Sequence, residues 1–186
     1  MTNAQPPLTN TLTEAFWGRH GIKPSVDMLL KGGFQLPTLI VLYSGMDAIA
    51  SVSRPADAPE AGRHFIRWCD QYLSVPAPVP LRGVDIYAAR CAVIHSFSAS
   101  SSLSERGKAR LLGYRSGPGA SEVWDNIDTT MADRIVIVEI ERLADAFFDA
   151  VARCIPDLYS TTARAELTDR RLRSLLAFLP YSAPRR

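Results

Sequence analysis

Residues 37 to 53 carry apolar side chains almost all the way round a helix. Projected at about 100° per residue, Leu39, Ile40, Leu42, Tyr43, Met46, Ile49, Ala50 and Val52 leave only a thin polar strip. A helix without a broad polar face has to be covered on most sides, so this one belongs in the middle of a bundle. Pro37 suits its first turn, because the ring fixes φ and the missing N–H is not needed there. With 186 residues the chain can bury a substantial core around such a helix in one domain.

The other segments read as layers around it. Thr11 or Thr13 can cap a short helix through Trp17, which Gly18 and Gly21 end. A second helix is expected from Ser25 to Lys31, stopped by Gly32-Gly33. Pro59 to Ser74 is amphipathic through Phe65, Ile66, Trp68, Cys69, Tyr72 and Leu73. The prolines of Val75-Pro76-Ala77-Pro78-Val79-Pro80 exclude helix and predict an extended linker. Another helix follows from about Leu81 to Phe97, and Ser98 to Ser102 is a loop by composition. Arg110–Arg115 and Arg134–Glu139 read as two short strands joined by a long loop, 116 to 133. Helical spacing returns at Ile140, Leu143, Ala144, Phe147, Phe148, Val151 and Ile155 and is expected to stop at Pro156. A last helix, 163 to 179, places Leu172, Leu175, Leu176 and Leu179 on one face, with Arg164, Arg170, Arg171 and Arg173 mostly elsewhere. The expectation is a mainly α chain, with a flexible tail over residues 1–10, a single helical domain over 11–182 and a short β-hairpin around 110–139.

Composition narrows the function classes. A net charge of +2 does not argue for nucleic acid, although a local basic cluster matters more than a total. Cys69, Cys91 and Cys154 are odd in number and far apart, with no CxxC pair and no zinc-ligand spacing. They read as reduced thiols of a cytoplasmic protein. The apolar run Leu36 to Tyr43 is too short to span a bilayer, and residues 1–10 lack the pattern of a signal peptide. No Walker loop, GxGxxG, Gly-x-Ser-x-Gly or HExxH is present, and no cofactor or metal is expected.

Chemistry concentrates in the helix Val84 to Phe97. Arg90 falls between Ile86, Phe97 and Ile94, and His95 between Cys91 and Ala88. Only a narrow sector holding Asp85 and Ser96 looks ready for water. A guanidinium cannot shed its charge, so on an apolar face it needs a carboxylate or a cleft. Arg90 and His95 lie about 140° apart on an ideal helix, a gap that a long arginine side chain or fraying after His95 can close. Two readings are open: a structural ion pair with a helix-end imidazole, or a catalytic pair.

The string Asp85-x-Tyr87-x-x-Arg90-x4-His95, with Ser44-Gly45-Met46-Asp47 on the helix before it, resembles the HEPN superfamily over residues 37–98. These are small all-helical domains whose hallmark is an Arg-x4-6-His motif on a late bundle helix. Many are metal-independent endoribonucleases in which two protomers bring their motifs into one cleft. The resemblance implies a homodimer with Arg90 and His95 as catalytic residues and RNA or a nucleotide as ligand. It also implies an antitoxin or other protein partner, as in defence or toxin–antitoxin systems. Under it His95 would move the proton of the ribose 2′-hydroxyl, and Arg90 would hold the scissile phosphate. Many active members carry a polar residue after the arginine; here Cys91 stands there, so a non-catalytic binding domain is the rival reading.

Supporting residues follow from the same logic. Asp47, on the very apolar helix, needs a cation and is expected to face Arg90 or His95. Ser44 lies one turn before Ala48, and Tyr87 one turn before Arg90. Arg106, Lys108 and Arg110 form a basic cluster, either solvated or an edge for RNA phosphates. His20 and His64 read as surface residues, and the arginines of the last helix as a solvated face.

Overall fold

The computed structural model describes residues 8–58, 60–77, 79–117 and 134–175. Residues 1–7, 118–133 and 176–186 lie outside them, and with them most of the expected 116–133 loop and the expected continuation of the last helix to 179. In chain order the elements are α1 (Leu8–Trp17), α2 (Ile22–Lys31), α3 (Gln35–Ser53), α4 (Ala61–Tyr72), α5 (Gly83–Ser96), α6 (Ser102–Glu105), β1 (Leu111–Arg115), β2 (Ile135–Glu139), α7 (Ile140–Leu158) and α8 (Thr162–Leu175). The protein is mainly helical. α1 begins three residues inside the expected tail, and α2 and α3 also start earlier than the capping signals suggest.

α3 is the hub. It touches α2, α4, α5, α7 and α8, and Leu42, Tyr43, Met46 and Ile49 on it are fully buried. By length and composition α3 could cross a membrane, but over half of it is buried inside this bundle. Gly45 sets its distance to α7: a Cβ there would lie 2.9 Å from Cζ of Phe147, itself fully buried. α7 supplies the largest part of the surrounding layer with Leu143, Phe147, Ala150, Val151 and Cys154. The helix passes through Pro156 and ends at Leu158. A proline in a last turn removes one hydrogen bond but does not force the chain out of helix, as mid-helix proline would.

The two strands form where expected, but not as a hairpin. They pair parallel, with Leu111 opposite Ile135 and Arg115 opposite Glu139. Parallel pairing requires the chain to return to the starting end, and a connection of a dozen residues or more permits that. The long 116–134 segment has the necessary length, and strand alternation alone does not reveal direction. The small sheet packs β1 against α5, and β2 runs straight into α7. Tyr114 of β1 reaches the core and shares a hydrogen bond with the buried Tyr43 hydroxyl of α3.

Asp85 departs most from expectation. It is fully buried instead of facing water. As the third residue of α5 it accepts the Arg82 backbone N–H at 3.1 Å, satisfying a donor that the helix start would otherwise orphan. The same carboxylate accepts from Arg82 Nη2 at 2.7 Å, from the Arg110 backbone N–H at 2.8 Å and from Arg110 Nη2 at 2.6 Å. Arg110 Nη2 also donates to the Pro80 carbonyl at 2.6 Å. One carboxylate thus ties the Pro-rich linker, the start of α5 and the start of β1 together. Burial pushes its acidity toward the neutral form, but the hydrogen bonds from Arg82 and Arg110 prevail and hold it well below the usual carboxylate range.

Candidate functional site

Arg90 leaves the middle of α5 and crosses to α3. Its Nε donates to Asp47 Oδ2 at 2.7 Å, and Nη2 pairs with the same oxygen. α3 has so little polar surface that Asp47 must face the one cation α5 offers. The pair is not sealed: 19% of the Arg90 side chain and 33% of the Asp47 side chain remain exposed. Burial weakens the charged form of Arg90, but the hydrogen bonds and charge of Asp47 outweigh it and raise the guanidinium above its ordinary value.

The far side of the guanidinium meets His95. Arg90 Nη1 lies 2.9 Å from His95 Nε2, and 3.8 Å from Cys91 Sγ. The 140° gap on the helix is therefore closed by the reach of the arginine. α5 stays helical through Ser96, so fraying plays no part. Guanidinium has no acceptor, so a hydrogen bond across this contact uses the Nε2 lone pair. His95 itself is exposed, next to Phe97, whose left-handed backbone (φ 48°) ends the helix. Asp47, Arg90 and His95 thus form a line from the bundle rim into solvent.

A cleft of about 500 Å³ opens beside Asp47 and Arg90. Ser44, exposed on α3, and Tyr87 of α5 line it, as do Arg54, Gly62 and His64. Tyr87 is half-buried, with its ring 5.6 Å from that of Phe65. Its hydroxyl occupies the space that a Cβ on Gly62 would take, at 2.6 Å. Burial pushes the Tyr87 hydroxyl up, with Cys91 adding to it. The structure therefore gathers Ser44, Asp47, Tyr87 and Arg90 around one cleft, with His95 attached to it through Arg90.

The basic cluster divides. Arg106 and Lys108 are exposed, just after α6, and do not line this cleft. Arg110 does not belong on an RNA-facing edge: it is turned inward, its side chain only 9% exposed and committed to Asp85. Arg110 immediately precedes β1, and its backbone N–H and guanidinium both donate to Asp85, which turns it away from its neighbours Arg106 and Lys108.

Two further residues line the cleft: Arg54, which carries no expectation from the sequence, and His64, which reads as a surface residue in the sequence and is not one. His64 is half-buried, with Nε2 3.1 Å from Ser53 Oγ. Burial lowers its basicity, and the charges of Arg171, Arg54 and Arg67 lower it further. Arg54 caps the C-terminal end of α3, on the same side. Pattern reading gives no signal for either, since a histidine in an amphipathic helix and an arginine beside a turn both default to solvent. Among the described residues no group of three or more His, Cys, Asp or Glu is placed to hold a metal ion. Comparison with family models, with curated proteins and with solved structures finds no match.

Proposed function

We propose that this chain is a HEPN-like, metal-independent endoribonuclease that acts as a cytoplasmic homodimer, with Arg90 and His95 as its catalytic residues. The observation that carries the reading is the 2.9 Å contact between Arg90 Nη1 and His95 Nε2 at an accessible surface, with Asp47 fixing the guanidinium from behind. A scissile phosphate arriving at Arg90 would take Nη1 and release the Nε2 lone pair. His95 then accepts the 2′-hydroxyl proton, the 2′-oxygen attacks phosphorus, and the bond to the 5′-oxygen breaks, the leaving oxygen taking a proton from solvent or from the imidazolium just formed. The products end in a 2′,3′-cyclic phosphate and a 5′-hydroxyl. Arg90 stabilises the charge that builds on the phosphoryl oxygens, and Asp47 is a positioning residue. In a toxin–antitoxin setting the protein partner would be an antitoxin covering this surface.

A second reading is a non-catalytic module that binds a nucleotide or a protein. Its support is that Arg90 is already neutralised by Asp47 and sits against Cys91, with the His95 lone pair occupied. The deciding experiment is cleavage of a mixed RNA in EDTA by wild type, Arg90→Ala, His95→Ala and Asp47→Asn. Loss of a general base is expected to lower the rate by about 10²–10⁴-fold. Asp47→Asn should act mainly on kcat and be partly rescued by Asp47→Glu. Cleavage that survives in both alanine variants, or that vanishes in EDTA, would sink the proposal. Nucleotide binding without cleavage would favour the second reading.

A further inference from the structure

A second, larger groove of about 790 Å³ runs from the end of α3 along α4 to α8. Arg54, Arg67, Arg164 and Arg170 line it, against the carboxylates of Asp57 and Glu166. Among the described residues none of these four arginines forms a salt bridge. Behind them Arg171 is held in place by donating to the carbonyl oxygens of Pro55, at 3.2 Å, and Ser51, at 3.5 Å. Arg54 and His64 line both this groove and the Arg90 cleft, so the two depressions adjoin at these residues.

The arrangement concentrates positive charge in a concave surface. The charge felt there is visible in its neighbours: Arg171 is lowered by burial and by Arg54, and His64 by burial and by three guanidiniums. Folding brings like charges from three separate segments to the lining of one groove, and an anion lying among them would relieve their repulsion. Arginine forks suit phosphate oxygens.

We propose that this groove binds the phosphodiester backbone of single-stranded RNA running out of the Arg90 cleft past Arg54 and His64 toward α8. The assignment rests on the ribonuclease reading for its choice of occupant. The groove adds affinity and sets how far the strand must extend beyond the scissile phosphate, while Arg90 and His95 perform the chemistry. A sequence-tolerant preference is expected, because backbone contacts carry no base information.

The test uses the full chain carrying His95→Ala, so that binding is read without cleavage. Anisotropy of a labelled RNA of about twelve nucleotides and of a dinucleotide is followed against salt. The groove variant adds Arg67→Gln and Arg170→Gln, both exposed; a charge-matched control adds Arg19→Gln and Lys31→Gln, which line neither depression. Each lost phosphate contact should reduce the salt slope by roughly 0.7, and the groove variant should bind the longer RNA about tenfold or more weakly at about 50 mM salt. Dinucleotide binding should not change, and the control should follow the parent. Equal slopes in groove variant and control would overturn the proposal, as would equal weakening for both RNA lengths. Circular dichroism and thermal melting confirm that each variant is folded, and a single Arg170→Glu variant repeats the comparison if the double variant is not. If wild type cleaves no RNA but the groove-dependent slope is present, the groove stands and the nuclease reading falls. If wild type cleaves and the slopes do not differ, the reverse holds.

Discussion

Replacing Asp85 with Asn should destabilise this fold more than any single surface change, and the structure says why. The carboxylate is fully buried and surrounded only by donors: the backbone N–H groups of Arg82 and Arg110 and both guanidiniums. Asparagine keeps the shape, but its NH₂ would point a donor at donors. It also leaves Arg110, 9% exposed, without its counter-charge. Breaking one partner of a buried pair costs about 3–5 kcal/mol. For a chain of this length that corresponds to a fall in Tm of roughly 6–20 °C. The two arms of the cluster should differ. Arg82 is 53% exposed, so losing its ion pair in Arg82→Ala should cost at most about 1 kcal/mol. Arg110→Ala should cost several times more, and combining it with Asp85→Asn should cost less than the sum, since each removes the charge the other leaves stranded. Urea titrations of wild type and these variants measure this directly. An Asp85→Asn variant within about 1 kcal/mol of wild type, or equal losses at Arg82 and Arg110, would refute the reasoning, because burial would then not govern the strength of the cluster.

Two further outcomes follow from the same structure. Because the folded carboxyl of Asp85 sits below its unfolded value of about 3.9, its contribution is fully present above about pH 4 and lost as pH falls toward the folded value. Wild type should therefore lose stability more steeply than Asp85→Asn between about pH 5 and 2, and parallel pH curves for the two proteins would contradict this. Gly45→Ala places a methyl 2.9 Å from the ring of the fully buried Phe147; the overpacking, typically about 1–3 kcal/mol, should outweigh the gain of about 1 kcal/mol in helix propensity, and a Gly45→Ala variant as stable as wild type in urea would show that α3 and α7 can move apart freely.

Much of the architecture is legible in one dimension. The all-round apolar pattern of residues 37–53 requires a helix covered on most sides, and in this fold the surrounding helices cover it. The same argument demands a cation for Asp47, and Arg90 is that cation. The strands at 111–115 and 135–139 also announce themselves through local composition. Their direction does not, because period-2 alternation is the same for parallel and antiparallel pairing and the sense is set by the path of the chain between them.

What depends on distant residues was decided only by the tertiary structure. Asp85 looks solvated in one dimension because its own helix offers it a polar sector; it is buried because Arg110, from another element, arrives to pair with it. That same meeting removes Arg110 from the basic cluster its neighbours Arg106 and Lys108 suggest. His64, Arg54, Arg164 and Arg170 line one groove through the packing of α3, α4 and α8, which no spacing encodes. The physical division is consistent throughout. Burial preference acts residue by residue and leaves its mark on sequence periodicity, whereas charge pairing acts between whichever groups the fold brings within a few ångströms, and that set exists only once the chain has packed.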